Sequence, residues 1–525
     1  MKVSAWDRFL IGIAPQWGLE RVKARAATDA FERHYEAATT GRRTSGWSRT
    51  AGDADLTIRP ALLELRMHAR DLVRNNGWAR RAQKVLANNT AGWGIVPKAS
   101  GETPGVNAKA DAIWKAWATS TQCEAEGRHT FYGIQTLAMK TITTAGEVLI
   151  RRRPRYATDG LAIPLQLQVL EPDFLDHSKS FTGDLRTGPT IQGVEFDLIG
   201  RRNAYWIFDN HPGSGRSVNP SKRVDASEIL HVFDTERPAQ TRGVSWFGTS
   251  IVGLKDFDDY EDAELMKQKI AACFAAFVVD IDGLGAPIGE QSTTDPLVET
   301  FEPGMITQLP PGKNVVTANP PTLTSDALPT RTLRKIAAGL CVTYEDLTGD
   351  YSQVNFSSAR MARLAHWANV HDWQQNMLIP LLCNGVWAWA MDQAVIAGLI
   401  PEAPPAEWTP PPMPMLEPDK EGLAYSRLVR NGVMTYSQMI REQGGDPVAH
   451  FAEYAADQKM LDALGLVLDS DARATSAAGL EQPSETADKA PPPPPVKALP
   501  PGKRAEEEAT AEEIREVEQL EIEGA

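Results

Sequence analysis

The chain has 525 residues, a formal net charge of −14 and only four cysteines. That length buries a large core and predicts two or more domains. The acidic balance argues against a protein that grips nucleic acid by its phosphates, though not against a surface that DNA passes without sticking.

Cys123, Cys273, Cys341 and Cys383 lie far apart with no CxxC pair, which argues against a disulfide scaffold or a zinc ribbon. There is no HExxH and no close Cys/His cluster, so neither a metal nor another cofactor is expected. No apolar run reaches membrane-spanning length: residues 379–400 come nearest, and Pro380, Asn384, Asp392 and Gln393 interrupt them. The apolar stretch at 9–14 is too weak for a signal peptide, and a cytosolic origin is expected.

Residues 1–57 read as a flexible, partly basic arm with a short helix near 24–38. Leu62, Leu65, Ala69, Leu72 and Val73, then Trp78, Ala82, Val85 and Leu86, recur at helical spacing. Asn75, Asn76 and Gly77 break this run into two helices. Arg66, Arg70, Arg74, Arg80, Arg81 and Lys84 mark its exposed side, either a plain solvated face or a basic surface toward an acidic neighbour or nucleic acid. Residues 93–97 look like a strand, 107–119 and 131–144 like helices, and 147–153, 165–170 and 229–233 like strands. Residues 191–197 and 203–209 read as a hairpin. The stretch 58–240 is therefore α+β, helices first and a mixed or antiparallel sheet after.

After a turn-rich hinge at 243–250, a helix is predicted over 251–279, about 40 Å long at ~1.5 Å per residue. Its first half is acidic (Asp256, Asp258, Asp259, Glu261, Asp262, Glu264), Lys267 and Lys269 follow, and its second half is small and apolar. The carboxylates read as a solvated face rather than an acid/base pair, and the small residues suit either packing against copies of the chain or a buried core helix. Residues 280–321 are turn-rich, with small strands at 305–309 and 314–318. A helix at 330–340 leads to a polar loop at 343–357, which is either functional or an ordinary surface connection. A helix capped by Ser357 and Ser358 follows, bends at Pro380 and runs to about 400. A proline-rich connector (401–418), helices at 425–440 and 448–466, and an acidic Pro/Ala/Glu-rich tail from 470, read as disordered, complete the chain. There is no GxxxxGK[ST], no GxGxxG after a strand and no GxSxG.

Six segments, in order, resemble the lambda-like family of tailed-bacteriophage portal proteins: ARDLVRNNGWARRA (69–82), LQVLEPDFLD (167–176), GVEFDLIGRRNAYWIF (193–208), DDYEDAELMKQKIAACFAAFV (258–278), FEPGMITQLPPG (301–312) and LTGDYSQVNFSSARMARL (347–364). The resemblance spans roughly residues 20–466. It implies the α+β portal-protein fold and a non-enzymatic ring, typically of twelve subunits, at one capsid vertex of the virion, assembled in the host bacterial cytoplasm. Double-stranded DNA would pass through the channel without sequence reading. The implied partners are the terminase large subunit, a head-completion or connector protein, and the major capsid or scaffold protein, with no membrane. By the same resemblance, 58–250 is the wing, 251–279 and 326–340 the stem helices, 280–325 the clip, 341–358 the tunnel loop, 359–400 the long bent helix returning to the wing, and 401–469 the connector and crown helices. Asp350, Tyr351, Ser352, Gln353, Val354 and Asn355 would then meet DNA. Asp258, Asp259, Glu261, Asp262, Lys267 and Lys269 would line the stem, and Glu302, Pro303, Lys313 and Asn314 would sit where the terminase or connector docks. The alternative reading is a soluble hydrolase-type enzyme using Ser357 and a histidine.

Overall fold

A computed structural model of the full chain describes residues 51–183, 188–215, 219–272, 276–280, 313–317 and 327–466, with isolated positions 42, 45, 46 and 468. The helix expected near 24–38, the strand at 305–309, Cys273, Glu302, Pro303 and the tail from 470 lie outside the described residues. The chain divides into two units, 1–446 and 447–525. Helix Pro447–Leu464, with residues 465, 466 and 468 after it, is the described part of the second.

The first unit opens with a short helix α1 (Ala54–Ile58), capped by Asp53, and two fourteen-residue helices, α2 (Leu62–Asn75) and α3 (Gly77–Thr90). The break between α2 and α3 is where the Asn-Asn-Gly run put it, but its mechanism is an N-cap. Asn76 has extended backbone, and its side chain accepts from the Ala79 N–H at 3.0 Å, so Gly77 begins the second helix instead of ending the first. Ala69, Leu72, Ala79, Ala82 and Leu86 form the apolar stripe of the pair. It packs on α5 (Phe131–Ala145), which Gly146 ends at φ 90°.

Between them, β1 (Val96–Ala99) leads to α4 (Pro104–Ala118). From α4, Trp114 and Trp117 join Phe131, and Trp114 also meets Trp387 and Trp408 at ring-centroid separations of 4.9 and 6.1 Å. Two antiparallel sheets follow. In the first, β2 (Glu147–Pro154) lies between β3 (Leu165–Leu170) and β8 (Ile229–Phe233). The second is β4 (Thr190–Ile191), β5 (Val194–Phe196), β6 (Arg202–Ile207) and β7 (Lys222–Asp225), in that order. Period-2 alternation divides the buried side chains of the first sheet: Val148, Ile150, Leu165, Leu167 and Val232 belong to the main core, and Leu149, Leu170 and Ile229 to a second cluster with Val194, Tyr205 and Ile207. The expected strand at 191–197 is interrupted by a two-residue turn, Gln192 and Gly193, both with positive φ, which turns β4 back onto β5.

Helix α6 spans Ile251–Ala272, shorter than expected, because residues 276–280 are not its continuation. They form β9 (Ala276–Asp280), paired antiparallel with β10 (Lys313–Thr317). Helix α7 (Ala327–Gly339) returns beside the start of α6, where Thr249 Oγ1 donates to the Gly339 carbonyl at 3.0 Å and Ser250 Oγ to that of Ile336 at 3.4 Å. A one-turn helix α8 (Tyr344–Thr348) and the long α9 (Phe356–Asp372) follow. In place of a simple bend at Pro380, residues Trp373–Cys383 form an 11-residue wide-turn π-helical stretch, followed by α10 (Asn384–Ile396). Proline has no N–H for the ordinary ladder, and a wide turn accommodates the gap.

The proline-rich connector contains a strand, β11 (Ala406–Thr409), which pairs with β1. The helix expected over 425–440 is two helices, α11 (Pro418–Arg430) and α12 (Tyr436–Glu442), divided where Gly432 takes φ 70°.

Candidate functional site

The loop expected at 343–357 is shorter than its composition suggests. Thr343 caps α8, its hydroxyl accepting from the Asp346 N–H at 2.9 Å, and Gly349 ends α8 at φ 74°. Leu347 is fully buried, and Arg81 Nε on α3 donates to the Asp346 carbonyl at 2.7 Å. The half of the expected loop that carries Leu347 is thus anchored to the helical body. What projects is the turn from Gly349 to Asn355, where every residue is exposed except half-buried Val354.

Asp350 organises that turn. Its carboxylate accepts from the Ser352 N–H at 3.0 Å and from the Tyr344 hydroxyl at 3.3 Å. Hydrogen bonding from Ser352, and then from Tyr344, holds the Asp350 carboxyl below the usual carboxylate range, so it is an anion at neutral pH. The far end is closed by a capping box. Asn355 Oδ1 accepts from the Ser358 N–H at 2.8 Å, and the Ser358 hydroxyl faces the Asn355 N–H at 3.2 Å. The cap is therefore Asn355, two positions before the serine pair expected to fill that role. Tyr351 and Phe356 stand out at 60% and 49% exposure. The turn offers one carboxylate, amides, hydroxyls and an aromatic ring, with no lysine or arginine from 349 to 359.

Helix α6 separates the residues expected to act together. Leu254 and Phe257 are buried against the body. On the side they define, Asp258 accepts from Asn76 Nδ2 and Glu261 from Trp78 Nε1, both at 3.3 Å, so these two carboxylates face α2 and α3. Lys267 is half-buried beside Glu264 at 3.5 Å. Lys269 is exposed at about 20° from Asp258 on the wheel and Asp262 is exposed on the flank, whereas Asp256 and Asp259, also exposed, lie on the side opposite Leu254 and Phe257 at 100° per residue. Lys255 reaches Asp259 at 2.7 Å on that side. Lys313 and Asn314 lie in β10, in register with Asp280 and Val279. Glu302 and Pro303 lie outside the described residues.

Ser357, the nucleophile of the hydrolase alternative, is exposed in the first turn of α9, with no histidine bonded to it among the described residues. The histidine nearest it in sequence, His366, is buried, its Nδ1 3.0 Å from the Cys341 carbonyl and its Nε2 3.0 Å from Asn89 Nδ2.

Sequence reasoning missed a buried carboxylate with four partners, Glu147. Arg66, expected on a solvated face, is buried. Its guanidinium and that of Arg242 both bind the Glu147 carboxylate, which also accepts from the Gly243 N–H at 2.8 Å and His231 Nε2 at 2.7 Å. Burial alone would raise the Glu147 pKa, but Arg242, Arg66 and His231 outweigh it and hold the group well below its ordinary value. Burial lowers His231 to about 4, so the imidazole is neutral at pH 7. Arg202 Nη1 lies 2.7 Å from its Nδ1, which fixes the tautomer with the proton on Nε2. Arg70, further along α2, binds Asp173 and Glu171. Those two carboxylates and His211 bring ligand atoms within 4.8 Å of one another, and the cation already among them is the Arg70 guanidinium.

Comparison with known proteins agrees with the resemblance. The family model described as phage portal protein, lambda family, matches residues 40–374. The probable portal protein of Halomonas phage phiHAP-1 is 26% identical over 464 residues, covering 83% of this chain and 88% of that protein. Portal protein B of Escherichia phage lambda is 22% identical over 498 residues, covering 85% of this chain and 92% of its own length. Similar solved structures include the neck of a native gene transfer agent particle computed with C12 symmetry, at 14% identity and TM-score 0.44 over 75% of this chain and 99% of that one. Another is an HK97 family phage portal protein from Corynebacterium diphtheriae, at 11% identity and TM-score 0.32 over 65% and 95%. Among the described residues no helix is long and apolar enough to cross a membrane. With the family model matching well over half of its length, this chain belongs to the lambda family of phage portal proteins, structural virion components of DNA packaging rather than enzymes.

Proposed function

We propose that copies of this chain close into a ring, of twelve by analogy with portal assemblies, and that the turn at 349–355 projects into its channel as the element that meets double-stranded DNA. In this reading 58–250 is the wing, the α6 and α7 segments are the stem, 280–325 is the clip, 341–358 the tunnel loop, 359–400 the long helix behind it and 401–469 the connector and crown side. Glu302, Pro303, Lys313 and Asn314 are then candidate contacts for the terminase large subunit or a head-completion protein.

The observation that carries the proposal is a turn held at both ends and free in the middle. Leu347, Arg81 and the Thr343 cap fix its entry, and the Asn355–Ser358 box fixes its exit. Its polar and aromatic groups give weak, sequence-independent contacts, and the Asp350 anion repels phosphate. A sliding surface needs this, because each Lys–phosphate contact releases counterions and adds to static affinity.

The test replaces residues 350–355 with a Gly-Ser linker. Rings of unchanged mass and symmetry, with DNA packaging lost or slowed, support the proposal. Loss of the rings as well makes the turn an assembly element, and full packaging by the replaced protein rejects it.

A further inference from the structure

We infer that the exposed acidic face of α6 and the exposed basic face of α7 are two halves of one contact, made between adjacent copies of this chain in the ring. The inference rests on the ring reading above and adds what joins the copies.

On α7, Leu333, Ile336 and Ala337 are buried, and Arg331, Arg334 and Lys335 are exposed on the opposite side. Arg334 lies over the Tyr344 ring at 5.4 Å. Among the described residues none of these three cations has a carboxylate within salt-bridge distance. On α6 the side turned from the body carries Asp256 and Asp259, with Asp262 on its flank and one cation, Lys255, 2.7 Å from Asp259, so acid outnumbers base there. One helix thus exposes acid and its neighbour exposes base, and in the single chain the two faces do not meet.

The heights agree as well. The helices are pinned level at one end, where Thr249 and Ser250 bond the carbonyls of Gly339 and Ile336. At ~1.5 Å per residue, Asp256 stands about 7 Å above the start of α6, and Arg334 and Lys335 stand about 6–7 Å above the end of α7. Asp259 and Arg331 both stand about 12 Å up. Rotation about an axis along the helices leaves height unchanged. It brings the α6 face of one copy to the α7 face of the next, the head-to-tail contact that closes rings. Val252 and Met266 on α6 and Leu328 on α7, 70%, 57% and 54% exposed, add apolar area beside the charges.

The experiment uses two variants of the full chain, Asp256→Lys/Asp259→Lys and Arg331→Glu/Arg334→Glu, each checked for folding by circular dichroism. Alone, each opposes like charges and yields folded subunits with the ring peak lost in native mass spectrometry. Mixed in equal amounts, they regain the ring as alternating copies, because every junction then pairs acid with base. If both variants form rings alone as well as the unaltered chain does, the contact is absent and the inference is overturned while the ring stands. If the mixture fails to recover rings, the pairing is likewise overturned. An unaltered chain that never forms rings overturns the ring reading and this inference with it. Should either reversal fail to fold, Asp259→Asn/Arg331→Gln decides the matter through salt. Rings of the unaltered chain loosen as NaCl rises, and rings of the neutral variant lose that dependence. Unchanged salt dependence in the variant rejects the contact.

Discussion

His231 Nε2 lies 2.7 Å from a carboxylate oxygen of Glu147, and both side chains are sealed from solvent. The pair joins β8 to the start of β2, and Arg66 and Arg242 tie α2 and the loop after β8 to the same carboxylate. Four separate stretches of chain meet at one buried anion.

The buried imidazole makes the fold sensitive to acid. His231 titrates near 6.5 in the unfolded chain and at about 4 in the fold, so between those values the unfolded state holds the extra proton. Stability is unaffected by this group above about pH 6.5, falls as pH drops from there toward 4, and loses on the order of 3 kcal/mol in total. Glu147, depressed in the fold, adds its own loss below its unfolded value near 4.5. Urea melts of the dissociated subunit at pH 7, 6 and 5 measure the slope. His231→Gln keeps an N–H for Glu147 and flattens it.

Removing the anion is worse than removing a titrating neighbour. Glu147→Gln leaves the Arg66 and Arg242 guanidiniums buried without a counter-charge and destabilises by roughly 3–5 kcal/mol. Arg70→Ala breaks a pair whose partners are partly open to water and costs no more than about 1–2 kcal/mol. Chemical denaturation midpoints of the two variants check the order.

Two glycines of similar backbone separate strain from crowding. Gly160 has φ 74° with nothing within 4 Å of an added Cβ, and Gly146 has φ 90° with the Val244 carbonyl carbon 2.4 Å away. Gly160→Ala costs about 1–2 kcal/mol from the left-handed conformation alone. Gly146→Ala adds a backbone clash and leaves little soluble folded protein, as thermal melts and expression yield will show.

At the turn, Asn355→Ala removes one side of the capping box and costs about 1 kcal/mol. The effect is local. Hydrogen exchange at the Ser358 amide accelerates, and that at Leu347, anchored in the core, does not.

Elements marked by a short-range signal were legible in the sequence. The strands at 165–170 and 229–233 were found at their observed bounds, because alternation and flanking turns are local. The end of α5 was announced by Gly146. The polar turn was legible as a break between helices, but α8 was not, since one helical turn has no period and its anchors, Leu347 and Arg81, act through tertiary contact. The Glu147 cluster was invisible for the same reason. Arg66 and Arg242 lie 81 and 95 positions from the carboxylate that buries them, and nothing in a helical wheel distinguishes a buried arginine from a solvated one. The run at 270–279 is apolar throughout and fits a helix or a strand equally well, so the change of structure after Ala272 left no mark. Strand β11 was hidden among prolines because its partner lies some three hundred residues earlier.

That last pairing governs the order in which the chain becomes a protein. Val96 pairs with Thr409, and Trp114 packs on Trp387 and Trp408. A ribosome exposes Trp114, Trp117 and Phe131 long before their cover is made, and contacts this distant in sequence form slowly. Throughout that interval the nascent wall of tryptophans is open to chaperones and to its own neighbours on the polysome. Chains ended before residue 406 lack the strand that pairs with Val96–Ala99, and their tryptophan wall stays uncovered.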